Sequence, residues 1–203
     1  MKEIIFYDGK SSLIVAKTGI DCHARKIMRS FLITFILFSL PFSMKAQELK
    51  TVAQVDLDRY TGKWYEIASY PMIFQKGCHC TTATYTKSPK GFVIVENRCN
   101  KGSVDGPESY IKGKAFVAKN SGNAKLKVQF FWPFCANYWI IDLAEDYSYA
   151  VVSDPGRSTL WILSRTPEMD QEVYDAILEK LEDWGFDLSR LRRTIQSLPA
   201  GKV

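Results

Sequence analysis

Eight short segments rich in β-branched and aromatic residues, separated by turn residues, constrain the fold of this chain more than any other feature. In the fifth segment, Lys125, Lys127 and Gln129 alternate with apolar residues. This period of two is expected of a strand with one solvent-exposed face. Short connections favour antiparallel hairpins. The sequence therefore predicts an all-β domain whose eight antiparallel strands close into an up-and-down barrel. The segments span residues 63–70, 81–86, 92–97, 110–118, 125–132, 138–143, 149–153 and 159–165.

The segment after the eighth strand changes to the period of an α-helix. Thr166 is suited to cap this helix, Pro167 to its first turn, and Gly185 to its end. An amphipathic helix must bury its apolar stripe, so we expect one C-terminal helix packed on the outer face of the barrel, near Tyr65 and Ile67. The stripe comprises Met169, Val173, Ile177, Leu181 and Trp184.

The first strand begins at Gly62, which permits a tight entry turn. Strand alternation places Trp64, Glu66, Ala68 and Tyr70 on one face, and Tyr65, Ile67 and Ser69 on the other. Neither face is wholly polar. We therefore expect both faces to be covered, one by the barrel interior and the other by the helix.

A Gly-x-Trp motif at Gly62–Trp64, followed far along the chain by Trp161-Ile162-Leu163-Ser164-Arg165-Thr166-Pro167 and a helix, resembles the lipocalin family. The resemblance covers roughly residues 54 to 196 and is strongest to the bacterial and apolipoprotein D-like branch. It implies that Arg165 lies over the Trp64 ring at the closed end of the barrel, as a structural cation–π contact. A second family motif, Thr-Asp-Tyr, is not kept, because residues 143–147 read Leu-Ala-Glu-Asp-Tyr.

The first 46 residues read as a targeting segment. Arg25, Lys26 and Arg29 precede an apolar run over residues 31–40, which is typical of a signal peptide and too short for a spanning helix. We expect translation to start at Met28, cleavage after Ala46, and a mature domain over residues 47–203. An uncleaved signal anchor is the alternative. No cysteine directly follows the apolar run, so an N-terminal lipid-modified cysteine is not indicated.

The charge of the chain is mostly carried by that segment. The net charge is +5, from 27 Lys and Arg against 22 Asp and Glu; residues 1–46 hold 7 of these bases and 3 of these acids. Residues 47–203 keep 27 − 7 = 20 bases and 22 − 3 = 19 acids. This balance gives no argument for a nucleic-acid partner.

Four cysteines remain after Cys22 is removed with the targeting segment. An even number in an exported protein favours disulfides. Strands two and three turn about Pro89, which predicts a Cys80–Cys99 bridge and leaves Cys78 to pair with Cys135. Free thiols and a zinc site at Cys78-His79-Cys80 are the alternatives, although this spacing does not match the usual zinc patterns.

The remaining residues indicate a binding protein. His79 is the one histidine of residues 47–203, and no nucleophile–base set or metal cluster can be assembled around it, so we expect no enzyme, metal or cofactor. Phe74 and Phe134 are candidates for lids or loop anchors at the upper end. Inward apolar positions are numerous, and they line a cavity or simply fill a core. The candidates for this inner wall are Tyr85, Val95, Ala115, Val117, Leu126, Val128, Phe130, Trp132, Trp139 and Ile141.

The lipocalin resemblance implies a hydrophobic ligand, such as a fatty acid or lysophospholipid, and places Tyr85 and Trp139 in its pocket. It further implies lipid transport, storage or envelope maintenance in the periplasm, at the outer membrane or in the secreted fraction, with association to a membrane surface. Two other classes of function remain open at this point. One is a barrel-fold enzyme acting on lipids or isoprenoids, and the other is an interaction module with a filled barrel.

Overall fold

The computed structural model describes residues 48–196 of the chain. The expected start at Met28, the signal peptide, its cleavage before Gln47, and Cys22 lie outside these residues.

Within residues 48–196, nine β-strands form one antiparallel sheet. Strands β2 to β8 follow one another in chain order, β8 pairs with β1, and β1 returns to pair with β2, so eight strands close into a barrel. The predicted fold class is confirmed, with an unpredicted short β9 on the edge of β1. The strands are β1 (Gly62–Ser69), β2 (Cys78–Lys87), β3 (Val93–Lys101), β4 (Glu108–Val117), β5 (Lys125–Gln129), β6 (Ala136–Leu143), β7 (Tyr149–Ser153), β8 (Leu160–Ser164) and β9 (Arg192–Arg193).

The two ends of the barrel differ in their connections. β1 begins and β8 ends at one end, the closed end, where the short helix α1 (Leu57–Tyr60) places the buried Tyr60. The opposite end, the mouth, carries the loops β1–β2, β3–β4, β5–β6 and β7–β8. A turn of 3₁₀ helix at Ile73–Gln75 lies in the first of these loops.

A bulge in β1 modifies the predicted alternation. The pairing of β1 with β8 shifts register between Glu66 and Ala68. Trp64 therefore packs in the core inside the barrel, whereas Ala68 and Tyr70 pack in a second core outside it. The expectation that Ala68 and Tyr70 share the face of Trp64 is wrong, because a one-residue shift moves every later side chain to the other face.

Helix α2 (Gln171–Asp183) packs outside the barrel, as predicted. It begins later than expected, because the Asp170 carboxylate caps it by accepting hydrogen bonds from the backbone N–H groups of Glu172 (2.8 Å) and Val173 (3.4 Å). Tyr174, rather than Val173, is the buried member of its first turn. Within residues 48–196, no helix combines the length and the apolar character needed to span a bilayer.

Residues 192–196, which we call the seam segment, fill a gap between β1 and β2. These two strands pair only between residues 62–65 and 82–85. Beyond that point, the Thr194 amide donates to the Ile67 carbonyl (2.9 Å) and the Ile195 carbonyl accepts from the Cys80 amide (2.7 Å). The Gln196 side-chain amide donates to the carbonyls of Glu66 and Thr81, on both sides of the gap. The end of the described chain thus completes the wall of the barrel.

Candidate ligand-binding cavity

The barrel encloses a cavity of about 420 Å³. It adjoins a wider cavity of about 690 Å³ at the mouth, since Thr81, Asn97, Val128 and Phe130 line both. Volumes of this size suit small-molecule ligands.

One wall of the cavity is apolar. Val128 and Phe130 from the β5 side and Tyr138 of the neighbouring strand β6 line this wall. The Phe130 ring lies directly against the backbone at Gly113 of β4, where an added Cβ would stand 2.7 Å from the ring. Gly113 therefore gives the aromatic wall its shape, and a larger residue there would displace Phe130.

The closed end is sealed by Trp64 and Arg165. The Arg165 guanidinium carbon lies 3.8 Å from the centroid of the Trp64 ring, within the range of the predicted cation–π contact. The guanidinium also donates hydrogen bonds to the carbonyls of Arg59 (2.6 Å), Lys63 (3.0 Å) and Tyr60 (3.2 Å). Trp64 is fully buried, and its indole N–H donates to the Tyr60 carbonyl at 2.8 Å.

Three tyrosine hydroxyls join above this closed end. The Tyr138 hydroxyl is 2.7 Å from that of Tyr60 and 2.8 Å from that of Tyr85. Burial raises the pKa of Tyr85 to about 12, and it also raises the pKa values of Tyr60 and Tyr138. All three hydroxyls are therefore neutral at physiological pH, and the cavity has an uncharged polar base.

The opposite wall carries a carboxylate. Glu66 of β1 is 5% exposed, and its oxygens accept hydrogen bonds from the hydroxyls of Ser69 (3.0 Å) and Thr194 (2.5 Å) and from the Gln75 amide (2.7 Å). The Gln75 carbonyl oxygen in turn accepts from the Trp161 indole at 3.3 Å. This network attaches the β1–β2 loop and the seam segment to the wall.

The mouth exposes large apolar side chains on two loops. Ile73 and Phe74 lie on the β1–β2 loop, and Phe131, Trp132 and Phe134 lie on the β5–β6 loop; their exposed fractions run from 64% to 96%. Phe74 and Phe134 also line the mouth cavity. The opening is thus rimmed by apolar groups in contact with solvent.

Most of the predicted inner-wall residues lie inside the barrel, where their role in binding a ligand stays a prediction. Only Tyr85, Val128 and Phe130 among them border the inner cavity, while the others pack in the interior core beside it. The inward-facing set is Tyr85, Val95, Ala115, Val117, Leu126, Val128 and Phe130.

The inward placement of Trp139 and Ile141 is wrong. Leu126, an inward residue of β5, pairs with Tyr138, and residues directly opposite in a ladder share a face. Tyr138 is consequently the inward aromatic of β6. Trp139 pairs with Lys125 on the outer face, where the lysine nitrogen lies 4.1 Å from the ring centroid, and Ile141 joins the outer core.

The inward placement of Trp132 is also wrong. Strand β5 ends at Gln129, and Trp132 lies in the following turn, 86% exposed. The Phe134 amide donates to the Phe131 carbonyl at 2.9 Å, which closes this turn and directs Trp132 to solvent.

The predicted disulfide pairing is wrong as well, since Cys78 is bridged to Cys99 while Cys80 and Cys135 are free. The β2–β3 ladder shifts register between His79 and Thr82. Cys80 adopts a positive φ of 52°, and its sulfur lies 3.2 Å from the Gln196 carbonyl oxygen of the seam segment. The bulge thus turns Cys80 away from β3 and brings Cys78 to Cys99.

Within the described residues, no group of three or more His, Cys, Asp or Glu is placed to hold a metal ion. The polar members of the cavity were not among the predicted site residues. For Glu66 the alternation with Trp64 was a usable signal, whereas Thr81 and Asn97 carry no sequence signal that separates them from other strand residues.

The chain matches the family model for a lipocalin-like domain over residues 55–196. It is 40% identical to temperature-induced lipocalin-1 of Arabidopsis thaliana over 160 residues, covering 74% of this chain and 84% of that protein. It is 38% identical to the outer membrane lipoprotein Blc of Vibrio cholerae, covering 71% and 85%, and 36% identical to mouse apolipoprotein D, covering 70% and 77%. The structure of insecticyanin from Manduca sexta shares the fold, with a TM-score of 0.60 at 22% identity over 75% of this chain and 87% of that one.

Proposed function

Because the chain belongs to the lipocalin family, whose members are generally binding and transport proteins, we propose that it carries or stores a lipid with one acyl chain. A fatty acid or a lysophospholipid is of this class. The cavity is the observation that carries this proposal, because its apolar wall runs from Tyr138 inside the barrel to Phe130 at the mouth. An interior of about 420 Å³ also favours a carrier over an interaction module with a filled barrel.

A titration of the purified protein with acyl-chain lipids tests this function. Trp161 lines the cavity, so saturable binding should change tryptophan fluorescence. Phe130→Ala should weaken binding, since the ring forms the apolar wall, whereas Phe116→Ala, which removes a ring from the outside of β4, should not. Native mass spectrometry should detect a co-purified lipid. The absence of binding across an acyl-chain series by folded protein would refute the carrier function.

The apolar rim of the mouth supports exchange of this lipid at a membrane surface. Five large apolar side chains on two loops surround the opening, and tryptophan, here Trp132, is favoured at membrane–water interfaces. Lys76 and Lys101 lie beside this rim, where the Lys101 ammonium donates to the carbonyls of Phe74 and Lys76, and their charge suits anionic lipid.

Flotation with phosphatidylglycerol-containing vesicles tests this surface role. The double variant Ile73→Ser/Trp132→Ser should lose most of its vesicle binding, while Phe116→Ser, an apolar deletion far from the mouth, should keep it. Equal flotation of the wild type, the double variant and Phe116→Ser would show that the mouth does not mediate vesicle binding. A concentration-dependent dimer that the double variant abolishes would assign the patch to a second copy of the chain instead.

Export to the periplasm, the outer membrane or the medium completes the proposed function. Its support is the predicted signal peptide and the relatives named outer membrane lipoproteins. The intact mass of the exported protein should correspond to a chain that begins at Gln47. A mass that retains residues 28–46 would favour a membrane anchor.

A further inference from the structure

We propose that a polar wall made by Glu66, Thr81 and Asn97 selects lipids whose polar end donates hydrogen bonds and carries no net negative charge. This inference rests on the proposed carrier function and specifies the head group that the cavity accepts.

The three side chains lie on neighbouring strands and face the same space. Glu66 belongs to β1, Thr81 to β2 and Asn97 to β3, and all three line the inner cavity. Thr81 and Asn97 also line the mouth cavity, so the polar wall extends toward the opening. Together with the apolar wall across from it, the wall gives the cavity two chemically different sides.

Two of these side chains have polar atoms without partners. The Thr81 hydroxyl and the Asn97 side-chain carbonyl oxygen are buried and form no hydrogen bond with the described residues. Leaving a buried polar atom unpaired is costly, and such atoms in native proteins call for a partner outside the chain. An amide oxygen accepts hydrogen bonds, so the partner of Asn97 is a donor.

Glu66 adds a carboxylate that forms no ion pair within the described residues. Its three hydrogen-bond donors, Ser69, Gln75 and Thr194, are all neutral, and none of the ion pairs in residues 48–196 includes it. Carboxylates accept up to four hydrogen bonds, which leaves capacity for one more donor.

The two arginines that line a surface pocket together with Glu66 make their contacts with other groups. Arg193 stacks on the Tyr174 ring, 3.7 Å from its centroid, and donates to the Gln171 side chain. Arg192 donates to the carbonyls of Ser189 and Leu191. Neither guanidinium offsets the Glu66 charge by direct contact.

The consequence for a ligand follows from charge and hydrogen bonding. A fatty-acid carboxylate placed against this wall would meet the like charge of Glu66 in a desolvated site and could not donate a hydrogen bond to the Asn97 oxygen. An ammonium or hydroxyl group supplies a hydrogen-bond donor, which the Asn97 oxygen and the Glu66 carboxylate can accept. A purely structural role for Glu66, holding the β1–β2 loop and the seam segment, would produce no such discrimination.

The experiment compares palmitate, monopalmitoylglycerol and hexadecylamine, which share chain length and differ in the polar end. At neutral pH, wild-type protein should bind the amine and the glycerol ester at least about tenfold more tightly than palmitate. In Glu66→Gln, which keeps the side-chain shape, the ratio of amine to palmitate affinity should fall to about threefold or less. Glu179→Gln, which removes the same charge from the exposed face of α2, should keep the wild-type ratio.

Palmitate binding as tight as that of the amine would overturn this selectivity while leaving the carrier function intact. So would a Glu66→Gln variant that weakens all three ligands equally, because that result assigns Glu66 a structural role. Failure of all three to bind would refute the carrier function and this inference together. Should Glu66→Gln fail to fold, Asn97→Leu serves instead, and unchanged relative affinity for monopalmitoylglycerol in that variant would count against the polar wall.

Discussion

The closed end and the mouth of the barrel contain the same kinds of residue in different environments. At the closed end, the aromatic Trp64 is fully buried and its indole N–H has a partner. The cationic Arg165 covers the Trp64 ring and donates to four nearby carbonyls. At the mouth, the aromatic Trp132 is 86% exposed, and Thr81 and Asn97 keep unpaired polar atoms. Satisfied groups stabilise one end, while the unsatisfied groups of the other end are available to a ligand or a lipid surface.

Among the variants that test this contrast, Trp64→Ala is expected to have the largest effect on stability. The change empties the closed end and removes the ring that packs on Tyr60, with centroids 5.1 Å apart, so the free energy of unfolding should fall by about 3–5 kcal/mol. Urea denaturation measures this effect. Relative affinities for different lipids should be unchanged in the folded fraction; a change in lipid preference would break the separation between the two ends.

Removal of the Cys78–Cys99 bridge tests whether the mouth needs a covalent restraint. The double variant Cys78→Ser/Cys99→Ser reopens a loop with a sequence separation of 21 and should lower the free energy of unfolding by about 2–4 kcal/mol. In wild-type protein comprising residues 47–203, thiol titration under denaturing, non-reducing conditions should find two thiols, Cys80 and Cys135. Four reactive thiols in exported protein would contradict the bridge.

Alkaline pH should weaken the closed end through its tyrosines. Because burial raises the pKa of Tyr85 to about 12, the folded state favours the neutral hydroxyl. Its contribution is fully present below the ordinary tyrosine pKa of about 10 and is lost as pH rises through the folded-state pKa, for a total of about 3 kcal/mol. Denaturation of wild type and Tyr85→Phe across this range measures the effect, and equal alkaline sensitivity of the two proteins would argue against it.

Arg165→Ala should cost less than Trp64→Ala, about 2 kcal/mol, because the cation–π contact is lost and carbonyls at the closed end lose their donor. Arg165→Lys should be intermediate, since lysine keeps the charge and loses the planar guanidinium that stacks and donates to several carbonyls at once. Denaturation with a parallel lipid titration separates stability from binding. Loss of binding by Arg165→Ala at unchanged stability would make Arg165 a ligand residue.

The smallest effect on stability is expected at the rim. Trp132→Ser and Phe134→Ser remove exposed side chains, so each should change the free energy of unfolding by no more than about 0.5 kcal/mol. The same variants should reduce capture by anionic vesicles. A destabilisation as large as that of Arg165→Ala would show that the rim is part of the folded core.

The strand pattern and the two motifs at Gly62–Trp64 and Trp161–Pro167 were sufficient to predict the barrel, the outer helix and the contact between Trp64 and Arg165. The errors arose where the ladder is irregular. A register shift near Cys80 changed the disulfide, and the pairing of Tyr138 with Leu126 put Trp139 outside. Bulges depend on contacts with distant residues, such as that between Cys80 and Ile195, which local periodicity does not contain.

The candidate site was less predictable than the fold. Aromatic and aliphatic positions such as Tyr85 and Phe130 follow from alternation along a strand. The unpaired state of Thr81 and Asn97, by contrast, is a property of the assembled cavity, because any strand residue of these types would ordinarily find a partner.

Because the seam segment is synthesised after the eight barrel strands, the wall between β1 and β2 is completed late. Thr194 meets Glu66 across a sequence separation of 128, and Gln196 meets Thr81 across 115. Contacts between such distant positions form late, since the chain must first close a long loop. A growing or translocating chain can therefore pair its first eight strands while the gap between β1 and β2 is still open. The nascent protein gains a continuous wall only when the seam segment arrives, and until then the sheet edge beside Glu66 is accessible to chaperones, proteases and other unpaired strands.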